Sequence, residues 1–327
     1  MPVAFVTGGS GFIGGRLVAR LVRDGWTVSA LARSPESAAK VRDRGAEPVA
    51  GDLLDGRALA AGARSAELVF HLAARLGDSG PWDEFRRVNV EGTEALLRAA
   101  RDAGVRRFVH VGTEAALLRG QRLVLADERT PLAFDSPAAY SATKAEAEAA
   151  VLAASGDRLE TISVRPRFVW GPGDTTLLPA MTEMVRAGRF RWIGGGRHLT
   201  DTTHVDNVVE ALLLAAGAGR SGAAYFVTDG EPVVFREFVT ALLRTQGVEP
   251  PSGSVPLPVA RAAAAAVETV WRLARRDDPP LTRLGVWLAG LECTLDTTRA
   301  REELGYAPVV TQPQGLSAMS ASVHSGG

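Results

Sequence analysis

Near the start of the chain, Val3-Ala4-Phe5-Val6-Thr7 runs straight into Gly8-Gly9-Ser10-Gly11-Phe12-Ile13-Gly14, and helical spacing of apolar residues begins directly afterwards. Few folds place a strand, a glycine turn and a helix in that order at their first strand. Glycine reaches positive φ and has no side chain to hold a ligand away from the backbone. The N–H groups and the dipole of the following helix gather negative charge. Gly9, Gly11 and Gly14 satisfy the spacing of a dinucleotide turn, so Gly8, Gly9, Ser10, Gly11, Phe12, Ile13 and Gly14 are expected to hold a pyrophosphate.

The rest of the chain fits that start. Strands are expected near Val3 to Thr7, Thr27 to Leu31, Glu47 to Ala50, Leu68 to Leu72, Arg107 to Val111 and Glu160 to Val164. Helical stretches lie between them at Gly14 to Asp24, Ser37 to Arg44, Asp55 to Ala63, Val88 to Gly104 and Ala139 to Ala154. This alternation predicts an α/β fold, a doubly wound parallel Rossmann sheet with a smaller C-terminal substrate-binding lobe. Residues 1–170 form the nucleotide-binding domain in this reading, and 204–228 return to it. Gly- and Pro-rich text places the lobe at 171–203 and 229–310, while 311–327 has little to bury and is expected to lack fixed structure.

Composition narrows the partners. At 46% apolar residues the chain can bury a large core. Its 37 basic and 37 acidic side chains cancel, which argues against nucleic acid or an anionic membrane and for a small molecule. Cys293 is the lone cysteine, read as an ordinary buried thiol in a reducing cytoplasm. No signal segment precedes the first strand, so a cytoplasmic location is expected. The Ala-rich stretch Val255 to Leu273 is too short and too charged to span a bilayer and reads as a packed helix. The five histidines are scattered without paired ligands, so no metal is expected.

In open α/β sheets ligands lie outside the carboxyl ends of the strands. The second strand ends in Ala32-Arg33, where an acid would select the ribose hydroxyl and an arginine a 2′-phosphate; NADP(H) is therefore favoured over NAD(H). Asp52 and Leu53 after the third strand, and Leu72, Ala73 and Ala74 after the fourth, are placed beside the cofactor. His71, finishing an apolar strand, reads as packed rather than catalytic.

Tyr140 and Lys144 sit four residues apart on one helical face. A neighbouring ammonium would favour phenolate and lower the tyrosine pKa, letting the phenol exchange a proton with a carbonyl or alcohol oxygen. Thr113 after the fifth strand is the candidate to grip that oxygen, and Asn89 braces the helix beneath.

In this order, Thr7-Gly8-x-x-Gly11-x-x-Gly14, Gly51-Asp52, Asn89 to Thr93, Tyr140-x-x-x-Lys144, Arg165-Pro166 and His204-Val205-Asp206-Asn207 resemble the extended short-chain dehydrogenase/reductase superfamily. The resemblance covers nearly the whole chain and implies roughly seven strands, catalytic roles for Thr113, Tyr140 and Lys144, cofactor contacts at Asn89, Tyr140, Lys144, Arg165 and Pro166, and a homodimer. The family usually has Ser where Thr113 stands. Val164 to Asp174, Asp201 to Asn207, Pro279 to Arg283 and Asp296 to Ala300 are most similar to the 3β-hydroxysteroid dehydrogenase branch and its 2-alkyl-3-oxoalkanoate-reducing relatives. That similarity implies a secondary alcohol and ketone pair on a bulky apolar substrate, with Glu114, Arg167, Phe168 and Trp170 as substrate contacts. A nucleotide-sugar epimerase or dehydratase with bound NAD is the second reading. A non-catalytic NADP-binding sensor is the third.

Overall fold

The computed structural model describes residues 1–77, 80–274, 276 and 279–324. Seven strands build the central sheet: β1 (Val3–Thr7), β2 (Thr27–Ala32), β3 (Glu47–Ala50), β4 (Leu68–His71), β5 (Arg107–Val111), β6 (Glu160–Pro166) and β7 (Ala223–Val227). Their order is β7-β6-β5-β4-β1-β2-β3, every pair parallel. The chain reverses its direction of travel between β1 and β4, which opens a crevice beyond their carboxyl ends.

Both faces of the sheet are covered because its strands are apolar on both sides. Leu17, Val18 and Leu21 of the helix Phe12–Arg23 and Val208 and Leu212 of Val205–Ala218 pack on one face. Leu59, Leu96, Leu97 and Val151 cover the other. Phe5, Phe70 and Phe108 have no exposed surface, each worth roughly 2–3 kcal/mol of burial.

Several boundaries differ from expectation. Ser34 and Ser37 form a reciprocal capping box, so the second helix begins at Pro35 and ends at Arg42 rather than spanning Ser37 to Arg44. The helix expected over Val88 to Gly104 is entered through a π-helical turn, Arg86–Glu91, before Gly92–Asp102. A wide turn of this kind re-aims one side chain, here Asn89. Leu123–Ala126 leaves the first 170 residues to join a small sheet with Cys293–Leu295, Leu199–Thr200 and Val233–Val234.

The expectation of an unstructured tail is overturned for the described part: Gln312–His324 is a helix. Met319 is buried, Leu316 packs on the lobe core, and a Cβ on Gly315 would come within 2.6 Å of the Trp170 ring. The signal was missed because three small contacts replace an apolar stripe. Leu257–Leu273 is helical but buries only Ala260 and Ala264, leaving Val259, Val270 and Leu273 exposed. Among the described residues no helix is long and apolar enough to cross a membrane. Cys293 is buried, which pushes its thiol up to about 12.

Candidate active site

The glycine turn is shaped by contacts that no side chain could share. Gly8 adopts φ +75°, and a Cβ there would lie 2.8 Å from the Ala73 nitrogen, so β1 and β4 leave the sheet in direct backbone contact. A Cβ on Gly14 would overlap the Gly8 carbonyl, and one on Gly9 would meet the Ala30 methyl at 2.9 Å. Gly11 caps the helix Phe12–Arg23 without any side-chain acceptor, and the space beside it is open apart from the Gly8 oxygen at 3.3 Å. A helix start with free N–H groups and an open mouth fits a pyrophosphate. Ile13 turns toward the core, while Phe12 lies beside Gly173, so their backbones rather than their side chains face the turn. Ser10 is half-buried. Behind the turn stands Arg44, whose Nη1 donates to the Gly9 carbonyl at 3.1 Å while the guanidinium fills the space a side chain at Gly15 would need. Sequence reasoning missed Arg44; the Gly14-Gly15 doublet was its only trace.

Along the crevice, Arg33 is exposed and has no partner among the described residues. Asp52 Oδ1 accepts from the Leu54 N–H at 2.8 Å, while Leu53 goes into the core, so it can offer only backbone. Leu72 packs partly on the core, and the Ala73 N–H donates to Thr7 Oγ1 at 3.3 Å; half-buried Ala74 continues the same edge. His71 is held between Thr7 Oγ1 (2.7 Å) and Thr93 Oγ1 (2.8 Å), a packed histidine whose pKa burial lowers to about 3. Asn89 is a brace: its oxygen accepts from the Arg75 N–H at 2.7 Å and its amide reaches the Arg75 carbonyl and Thr143. Those bonds engage its side chain, and the expected cofactor contact is not what the geometry supports.

Tyr140 lies beside Thr113 and Glu114 at the carboxyl end of β5. The Thr113 hydroxyl donates to Glu114 Oε2 at 2.9 Å and accepts from the Ala115 N–H at 3.2 Å. Lys144 starts one turn below Tyr140 but points to Val111 O (2.9 Å) and His110 Nε2 (3.1 Å). The tyrosine pKa is therefore raised rather than lowered: burial is the larger cause, and the Glu114 carboxylate adds to it. Burial also lowers Lys144 to about 8, against the upward pull of Glu148.

Four expected contacts have other employment. Glu114 and Arg167, 3% and 1% exposed, face each other in an ion pair of 2.5 Å, with Arg167 Nε on Thr200 Oγ1 at 3.0 Å. Charges taken out of water need such partners, so neither is free for substrate. Arg165 is paired with buried Glu148 and lies over the Phe226 ring, away from any cofactor role; Pro166 is buried at the end of β6. Trp170 is fully buried, donates to Asp229 Oδ2 at 2.7 Å and is a core residue. Phe168 stays half-buried at φ +43°, edge-on to Phe235 and Phe238, and remains available to an apolar ligand. The same aspartate, Asp229, also accepts from Thr202, the His204 N–H and Asn207, tying the lobe to the sheet. Among the described residues no acid, cysteine and histidine cluster could hold a metal.

This geometry has counterparts among known proteins. Residues 5–259 match the model of the 3-beta hydroxysteroid dehydrogenase/isomerase family. The chain is 49% identical over 316 residues to a 4-hydroxy-2-methyl-3-oxo-4-farnesyl-3,4-dihydroquinoline-1-oxide ketoreductase of Stigmatella aurantiaca, covering 96% of this chain and 95% of that one. It is 38% identical over 328 residues to a 2-alkyl-3-oxoalkanoate reductase of Stenotrophomonas maltophilia, covering 97% and 98%. Among solved structures it is similar to MoeE5 in complex with UDP-glucose and NAD, with a TM-score of 0.77 and 25% identity over 99% of both chains. The chain thus belongs to the 3-beta hydroxysteroid dehydrogenase/isomerase family, an NAD(P)-dependent oxidoreductase on the extended short-chain dehydrogenase/reductase fold.

Proposed function

We propose that this chain is an NADPH-preferring ketoreductase for a bulky apolar β-keto substrate, with Tyr140 as proton donor. The observation that carries the proposal is the meeting of Thr113 and Tyr140 beyond the glycine turn, at a phenol kept protonated by burial and by Glu114. A nicotinamide nucleotide held at the glycine turn would supply the hydride for the carbonyl carbon. As the C=O π bond opens, Tyr140 gives its proton to the oxygen, so one C–H and one O–H bond form. To hold the oxygen in line, the Thr113 hydroxyl would turn its proton from Glu114 Oε2 to the substrate. A protonated phenol suits reduction; alcohol oxidation would need phenolate.

A bulky apolar ketone draws support from the names of the relatives, a farnesyl-dihydroquinoline-1-oxide ketoreductase and a 2-alkyl-3-oxoalkanoate reductase, the β-keto pattern from the second. Half-buried Phe168, backed by the core rings of Phe235 and Phe238, offers one aromatic face suited to such a chain. The nucleotide preference rests on Arg33, exposed and unpaired at the end of β2 where a 2′-phosphate would lie. NADPH and NADH consumption against 2-alkyl-3-oxo acids, farnesylated quinolones and 3-ketosteroids tests the reading. Turnover of one class, faster with NADPH, supports it. Tightly retained NAD with no net consumption would move the chain to sugar-nucleotide epimerisation.

A further inference from the structure

A chain of buried polar groups runs behind Lys144. Lys144, His110, Ser163, Glu148 and Arg165 are each 5% exposed or less. Lys144 Nζ lies 3.1 Å from His110 Nε2, His110 Nδ1 lies 3.2 Å from Ser163 Oγ, and Ser163 Oγ donates to Glu148 Oε2 at 2.8 Å. Arg165 Nε closes the chain on the same carboxylate at 2.9 and 3.0 Å. Tyr140, Lys144 and Glu148 follow one another at intervals of four on one helix, so both ends of the chain are set by a single face. Gly112 makes room for it: a Cβ there would stand 2.5 Å from Glu148 Oε2 and 2.7 Å from Ser163 Oγ.

The chemistry of the ends fixes every proton between them. An ammonium has only donors, so Nε2 of His110 accepts; a neutral imidazole then carries its proton on Nδ1 and donates to Ser163, whose hydroxyl is left to donate to the carboxylate. Burial, with Lys144 close by, holds the His110 pKa well below its ordinary value, in keeping with a neutral ring. The Val111 carbonyl takes a second ammonium N–H at 2.9 Å. The third has no acceptor among the described residues.

We propose that His110 is a positioning residue for Lys144: locked as one tautomer by Ser163 and Glu148, it fixes the ammonium so that a single N–H is left for a ligand in the crevice. The proposal rests on the nucleotide of the proposed function lying beside Lys144, but it can be tested without turnover. His110 also sustains the charge on Lys144, because an acceptor bonded to the ammonium favours the protonated form. Among the described residues the ionisable groups acting on Lys144 or on His110 are Glu148 on the lysine's own helix, where Tyr140 stands one turn earlier, His71 on β4 and Arg165 on β6. The two imidazoles lie with ring centroids 5.6 Å apart.

The sequence holds two lysines, Lys40 and Lys144. Lysine labelled with carbon-13 at the ε position therefore gives two resonances in the ligand-free protein, with exposed Lys40 as the control. Lys144 is expected to titrate near 8 in the parent chain. In His110→Phe its midpoint should fall by about one pH unit, in Ser163→Ala by less, and His110→Gln, whose amide oxygen can take the place of Nε2, should restore most of the loss. NADPH titrations of the same variants should show weaker binding in the same order. An unchanged Lys144 midpoint in His110→Phe, or in Ser163→Ala should the phenylalanine variant fail to fold, would overturn the proposal. A parent protein that shows the shifts yet reduces no ketone would retain His110 in this role and refute the proposed activity instead.

Discussion

Arg165 and Arg167 stand two residues apart, and each ends in a buried ion pair, but the pairs serve different sides of the site. Arg165 is sealed within the nucleotide-binding half, against Glu148 and the Phe226 ring. Arg167 lies past the end of β6, where Phe168 turns to positive φ, and joins Glu114 to Thr200 and Thr203 of the chain leading into the lobe. Each carboxylate also takes a hydroxyl: Glu148 takes Ser163 and so reaches Lys144 through His110, whereas Glu114 takes Thr113 beside Tyr140. Buried pairs contribute little net stability, because desolvation offsets their attraction. What they provide here is direction, one pair behind the ammonium and the other beside the phenol.

Removing one partner is the severest way to break the comparison. Glu148→Ala should cost about 3–5 kcal/mol by leaving Arg165 unpaired, read as a fall in the denaturant midpoint, and should lower the Lys144 midpoint with it. Glu114→Ala should cost a similar amount, yet it should leave Lys144 alone and let the tyrosine pKa descend, because the carboxylate that raises it is gone. Identical titration of Lys144 in both variants would erase the distinction. Next in size, Thr113→Ala should lower kcat on a ketone by roughly 100- to 1000-fold while NADPH affinity stays constant; a loss confined to cofactor binding would place Thr113 outside the chemistry. Smallest is Arg33→Ala, expected to cut the preference for NADPH over NADH by about tenfold through a single charge-assisted contact, and an unaltered ratio would leave the 2′-phosphate to other groups.

The half of the molecule built on local periodicity was legible in the sequence. Strand and helix alternation yields the parallel sheet, and the glycine spacing yields the turn, because both depend on residues close together in the chain. That Tyr140 and Lys144 share one helix was legible for the same reason. Glu148 was within reach too, since it continues the spacing of four along that helix. The partners His110, Ser163 and Arg165 come from separate strands, and only their parallel register brings His110 beside Ser163. Arg167 and Trp170 were expected at the substrate from the family resemblance, but tertiary pairing with Glu114 and Asp229 turns both inward. The lowered tyrosine pKa failed on the same ground. Four residues of spacing put Lys144 on the correct face, yet His110 and the Val111 carbonyl draw its head group away, and the nearer charge is negative.

The most direct test compares the parent chain with Tyr140→Phe on one reducible ketone, following NADPH consumption and NADPH binding on the same samples. The account predicts that binding is retained while turnover falls by roughly 100- to 10,000-fold, the size of a lost general acid. Turnover within a few-fold of the parent, with binding intact, would contradict it and remove Tyr140 from the reaction.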